Sequence, residues 1–148
     1  MTQRIILLQG LAATPPQLTR LLTETDNPDT SVSPLLQEWI RRERLLLQML
    51  HRRQIAPPPP AKKNKTEATS MDSARHFAEL RHHALSALKG ITAAAWEQIC
   101  NHPPLGKAPL HRHVQKHLET DSFNLNLVME SIYDHEQSRS RSQTKRNS

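Results

Sequence analysis

The chain reads as an all-α protein, an up-and-down four-helix bundle, on three observations. Apolar residues recur at helical spacing in four segments, no window sustains the period-2 alternation of a strand, and only 3 glycines occur in 148 residues. Scarce glycine argues against hairpin-rich β folds and against glycine-rich phosphate loops. A hydrophobic content of 36% suits one modest core rather than two.

The first helical segment runs from Gln3 to Leu22, with Ile5, Leu8, Leu11 and Ala12 along a stripe. Thr14-Pro15-Pro16 interrupts it, and Thr14 is placed to cap a short second helix carrying Leu18, Leu21 and Leu22. The next helix opens at Ser33, has Pro34 in its first turn, and ends near His51. Leu35, Trp39, Leu46 and Leu50 form its stripe, widened by Leu36, Ile40 and Leu47, while Arg41, Arg42, Glu43 and Arg44 mark a solvent side.

A flexible loop is expected over residues 54–70, where Pro57 to Pro60 favour an extended polyproline path and Lys62 to Lys65 cannot pack. The third helix spans Asp72 to Lys89 and stops at Gly90, burying Ala74, Phe77, Leu80, Ala84, Leu85 and Leu88. A short helix from Thr92 to Ile99 precedes a break at Pro103-Pro104. The last helix runs from Pro109 to Tyr133 on Leu110, Val114, Leu118, Leu125, Val128 and Ile132. Trp39 and Trp96 fall on these stripes and read as core rather than as pocket walls. Residues 1–135 therefore form the bundle.

Charge is uneven. The net +6 comes from 20 Lys and Arg against 14 Asp and Glu, yet Arg139, Arg141, Lys145 and Arg146 lie in the last few residues. A disordered basic tail is expected over 136–148, because the segment lacks apolar residues to bury. It reads as a solubilising terminus. Nucleic-acid contact through 138–148 is the alternative, although no aromatic residue is interleaved for stacking. No apolar run reaches the roughly 18 residues of a membrane span. The opening MTQRIILLQGL lacks the pattern of a secretory signal, so a cytoplasmic protein is expected.

Cys100 is the only cysteine, which excludes an internal disulfide and a multi-cysteine zinc site. With no third group in sequence to orient a Cys100–His102 pair, Cys100 reads as structural rather than nucleophilic.

Four stretches, in order, carry a family resemblance: LQGLAATPPQL (8–18), SVSPLLQEWIRRE (31–43), FAELRHHALSALKGITAAAW (77–96) and HPPLGKAPL (102–110). Together they resemble the DinB-like superfamily, bacterial four-helix bundles that include metal-dependent thiol transferases. The resemblance implies a divalent metal, zinc or nickel, held by three histidines. One lies on the second helix and two lie at i and i+4 on the last.

Ungapped alignment places those positions on Glu38, Thr120 and Asn124, and the family's Glu-His-Asp becomes Glu119-Thr120-Asp121. Threonine and asparagine are poor ligands for zinc or nickel, so the usual site is expected to be lost and no cofactor is expected. A displaced site is the alternative, built on the i, i+4 pair His113 and His117. It would draw further on Glu38, or on His82 or His83. The resemblance thus implies a non-catalytic binding or accessory protein with a degenerate metal site and no catalytic residue, a homodimer being one form open to it. The displaced site would instead give a metal-dependent transferase or hydrolase, in which the metal activates a thiol or a water.

Overall fold

The computed structural model describes residues 2–24, 29–60 and 69–146, and it is mostly helical. Four long helices enclose the core: α1 (Thr2–Thr23), α2 (Asp29–Arg52), α3 (Ser70–Lys89) and α5 (Leu110–Arg146). A short α4 (Ala93–Glu97) and two strands, β1 (Ile99–His102) and β2 (Gly106–Pro109), connect α3 to α5. α1 packs on α3 and α5, and α2 packs on the same two helices. The consecutive helices α1 and α2 thus face each other across the core, unlike neighbours in a simple up-and-down succession. No helix among the described residues is long and apolar enough to cross a membrane.

α1 is unbroken through Pro15 and Pro16, which corrects the expected interruption at Thr14. Leu7, Leu11, Thr14, Leu18 and Leu22 are all buried, and their spacing keeps one helical phase across the prolines. A break would turn half of that stripe away from the core. Ile5 and Ala12, assigned to the stripe from sequence, are exposed. At Gly10 the helix passes close to α5, since an added Cβ would come within 2.7 Å of Leu118 Cδ2.

α2 begins at Asp29, earlier than the expected start at Ser33. Its buried stripe is Val32, Leu36, Trp39, Glu43, Leu46 and Leu50. Glu43 and Arg44, expected on the solvent side, are both buried. Glu43 stands one turn beyond Trp39, in phase with the apolar residues, so helical geometry carries it inward despite its charge. After the helix, Ala56 is buried and Arg44 Nη1 donates to the Pro60 carbonyl at 2.7 Å. The first part of the expected flexible loop is thus fastened to α2. Residues 61–68 of that loop lie outside the described residues.

α3 is capped as its ends suggest. Thr69 Oγ1 accepts from the Asp72 amide at 3.1 Å, and Gly90 follows the last turn. Arg4 Nη2 donates to the carbonyls of Leu88 and Lys89, each at 3.0 Å, satisfying acceptors that a helix end leaves free. Ala74, Phe77, Leu80, Ala84, Leu85 and Leu88 are buried as expected, and Arg81 joins them.

The connection corrects the all-helical expectation. β1 and β2 pair antiparallel in the register Ile99↔Pro109 to His102↔Gly106. Strands of 4 residues are too short for a sequence window to register their alternation, yet Cys100 and His102 point inward while Ile99 and Asn101 are exposed. Gly106, at φ 73°, supplies the left-handed residue that closes a three-residue hairpin turn.

α5 continues to Arg146, which corrects the disordered tail expected from 136. Neither proline nor glycine occurs after Pro109, and extending an existing helix costs far less than starting one. Side-chain arguments about 138–148, including nucleic-acid contact, lie outside the described residues.

Candidate functional site

Each long helix carries a polar residue in phase with its apolar stripe, and the four meet at the centre of the bundle. They are Thr14 on α1, Glu43 on α2, Arg81 on α3 and Asp121 on α5, all buried. Arg81 is the hub. Its Nε and Nη2 donate to Glu43 at 2.8 and 2.9 Å, and Nη1 and Nη2 donate to Asp121 at 2.8 and 2.9 Å. Its remaining Nη1 hydrogen goes to the Leu11 carbonyl at 2.8 Å. All five N–H donors of the guanidinium are thereby used.

The Leu11 carbonyl has a specific origin. It is the acceptor that residue 15 would engage in an uninterrupted α-helix, and Pro15 has no N–H to offer. Proline thus leaves this oxygen without its helical donor, and Arg81 supplies one.

The carboxylates are equally engaged. Asp121 Oδ1 accepts from Trp39 Nε1 at 3.0 Å, and Oδ2 accepts from the Thr14 hydroxyl at 3.0 Å. Glu43 Oε1 accepts from His117 Nε2 at 2.7 Å. Burial alone pushes the Glu43 carboxyl up; attraction to Arg81 and His117, with their hydrogen bonds, outweighs it and holds the group at about 2. Burial likewise opposes the charge on Arg81, but the two carboxylates raise its pKa above the ordinary arginine value. The Arg81 guanidinium also lies over the Phe77 ring, 4.9 Å from its centroid.

Beside this network a cleft of about 130 Å³ opens between α2, the hairpin and the start of α5. Arg41 and Arg42 line it from α2, His102 from β1, and His113, Lys116 and His117 from α5. His113 Nε2 donates to the Cys100 carbonyl at 2.8 Å, while its Nδ1 is buried without a hydrogen-bond partner among the described residues. His102 stands edge-on to His113, with ring centroids 5.6 Å apart. Burial first, then the nearby His113, His117, Arg52 and Arg42, lowers His102 to about 4.

The residues singled out from sequence are scattered by this geometry. Glu38 is exposed on α2, accepting from Arg41 Nε at 2.9 Å, and that hydrogen bond holds its carboxyl below the usual range. The Thr120 hydroxyl donates to the Lys116 carbonyl at 2.9 Å, and Asn124 is half-buried. His82 and His83 are exposed on α3. His113 and His117 do share one buried face, as their spacing implies, but each engages its Nε2 inside the protein. Among the described residues no group of three or more His, Cys, Asp or Glu is arranged to hold a metal ion.

Cys100 is buried, and burial raises its thiol against the opposing charge of Arg53. It donates to the Gln98 carbonyl at 3.6 Å. That environment suits a packed thiol, not a thiolate. Trp39 and Trp96 are core residues.

Sequence reasoning missed Glu43, Arg81 and Asp121. The signal was present: each is a charged residue at a position where the helical period demands an apolar one. No protein-family model and no curated protein matches the chain.

Proposed function

We propose that this chain is a DinB-like four-helix bundle that serves as a non-catalytic binding or accessory protein, with an internal cation in place of metal chemistry. One observation carries the reading. The buried Arg81 guanidinium takes up Glu43 and Asp121 together, so the carboxylates best placed to neutralise a divalent cation already neutralise a side chain. The positions the family resemblance assigns to ligands do not fit a metal: Glu38 is bound to Arg41, and the Thr120 hydroxyl is committed to backbone.

Metal content tests the reading. Protein purified without a histidine tag should hold no stoichiometric zinc or nickel, and adding either should leave the melting temperature nearly unchanged, because only selective binding to the native state stabilises it. The displaced-site reading draws on His113 and His117 sharing a buried face. Stoichiometric metal that disappears on replacing both by alanine would establish that reading instead.

A further inference from the structure

The cleft beside the network has a one-sided chemistry. Arg41, Arg42 and Lys116 contribute permanent positive charge, three histidines complete its polar wall, and among the described residues no carboxylate lines it. Glu38, which pairs with Arg41 and at 3.6 Å with Arg42, and Glu119, which pairs with Lys116, stand outside the wall. The other charged groups near the histidines are Glu43, held by Arg81, and Arg52, whose charge helps to depress His102. Burial is the first cause of the His102 depression, and the positive groups around it act in the same direction. Such a field repels a metal ion and attracts an anion.

From this geometry we infer that the cleft between α2, the hairpin and α5 is a binding site for a phosphate-class oxyanion. The inference rests on the binding-protein reading and names its ligand chemistry. The volume of about 130 Å³ gives room for about four waters or one phosphate-sized group. Cations reach it from two facing helices, so a tetrahedral group with several oxygens can engage both walls. Guanidinium groups suit it through their forked donors. Arg42 and Lys116 are the side chains to change, because both are partly exposed (39% and 42%) and neither holds the core together.

Isothermal titration of the full chain at low ionic strength, with inorganic phosphate and separately with phenyl phosphate, tests the site. Saturable binding with one site per chain is expected for at least one probe. Tighter binding of the ester assigns the site to a phosphoryl group on a larger ligand; tighter binding of the free ion assigns it to phosphate itself. The double variant Arg42→Gln with Lys116→Gln should lose about tenfold or more in affinity while keeping its helical circular dichroism. Arg20→Gln with Arg75→Gln removes equal charge away from the cleft and should retain binding.

No saturable binding of either probe would overturn the inference, as would equal losses in the two double variants. The metal assay judges the underlying reading separately. Release of phosphate from phenyl phosphate would refute a non-catalytic role while leaving the anion site in place.

Discussion

At Arg81, five donors meet acceptors drawn from three other helices. Buried ion clusters gain little over a well-packed apolar core, yet breaking one is costly because the remaining charges lose their partner. Arg81→Met should therefore destabilise by about 3–5 kcal/mol in urea denaturation. Adding Glu43→Gln and Asp121→Asn to that variant should recover part of the loss, since no unpaired carboxylate then remains. A cost below about 1 kcal/mol for Arg81→Met would mean that the network is not formed in solution.

Acid should act in succession on two buried groups, His102 beside the network and Glu43 within it. Both His102 and Glu43 titrate lower in the folded protein than their ordinary values of 6.5 and 4.5, so on acidification the unfolded chain takes up each proton first. Stability contributed by His102 is full above 6.5 and is lost as pH falls through about 4. That from Glu43 is full above 4.5 and is lost as pH falls through about 2. Melting temperature should thus decline in two stages. His102→Gln should flatten the upper stage and Glu43→Gln the lower one.

Among the elements, α1 is the one whose sequence argues against its structure. Proline in a helix interior costs about 3 kcal/mol, and α1 contains two. In-phase burial on both sides of the prolines offsets that cost. Pro15→Ala should raise stability by about 1–2 kcal/mol, the helical gain exceeding the entropy that proline removes from the unfolded chain. The Leu11 carbonyl has two lone pairs, so it can accept from the restored amide at position 15 and from Arg81 together. A loss of stability would show that Arg81 depends on Pro15 to keep that oxygen free.

The hairpin was illegible for a different reason. Its strands of 4 residues are shaped by pairing with each other and by packing of Cys100 and His102, not by a pattern long enough to detect. The helical segments were legible because their apolar stripes run for several turns. Glu43 and Asp121 were passed over because a charged residue taken singly belongs outside. Only its phase relative to Trp39 or to Val114 and Val128 shows that it turns inward.

For the whole molecule, the network ties four helices into one cooperative unit. Trp39 reports on it directly through Asp121. Tryptophan fluorescence and far-ultraviolet circular dichroism should follow the same denaturation curve; separate midpoints would show that part of the bundle unfolds independently of its centre.

Helical class, the extent of α3, and most of the apolar core follow from local periodicity, which one stretch of chain expresses by itself. The order of helices around the core, the continuity of α1, and the burial of Glu43, Arg81 and Asp121 depend on partners distant in sequence. A buried charge is tolerable only where opposite charge meets it. That meeting is fixed when four stripes close on one another, so the tertiary structure alone decides it.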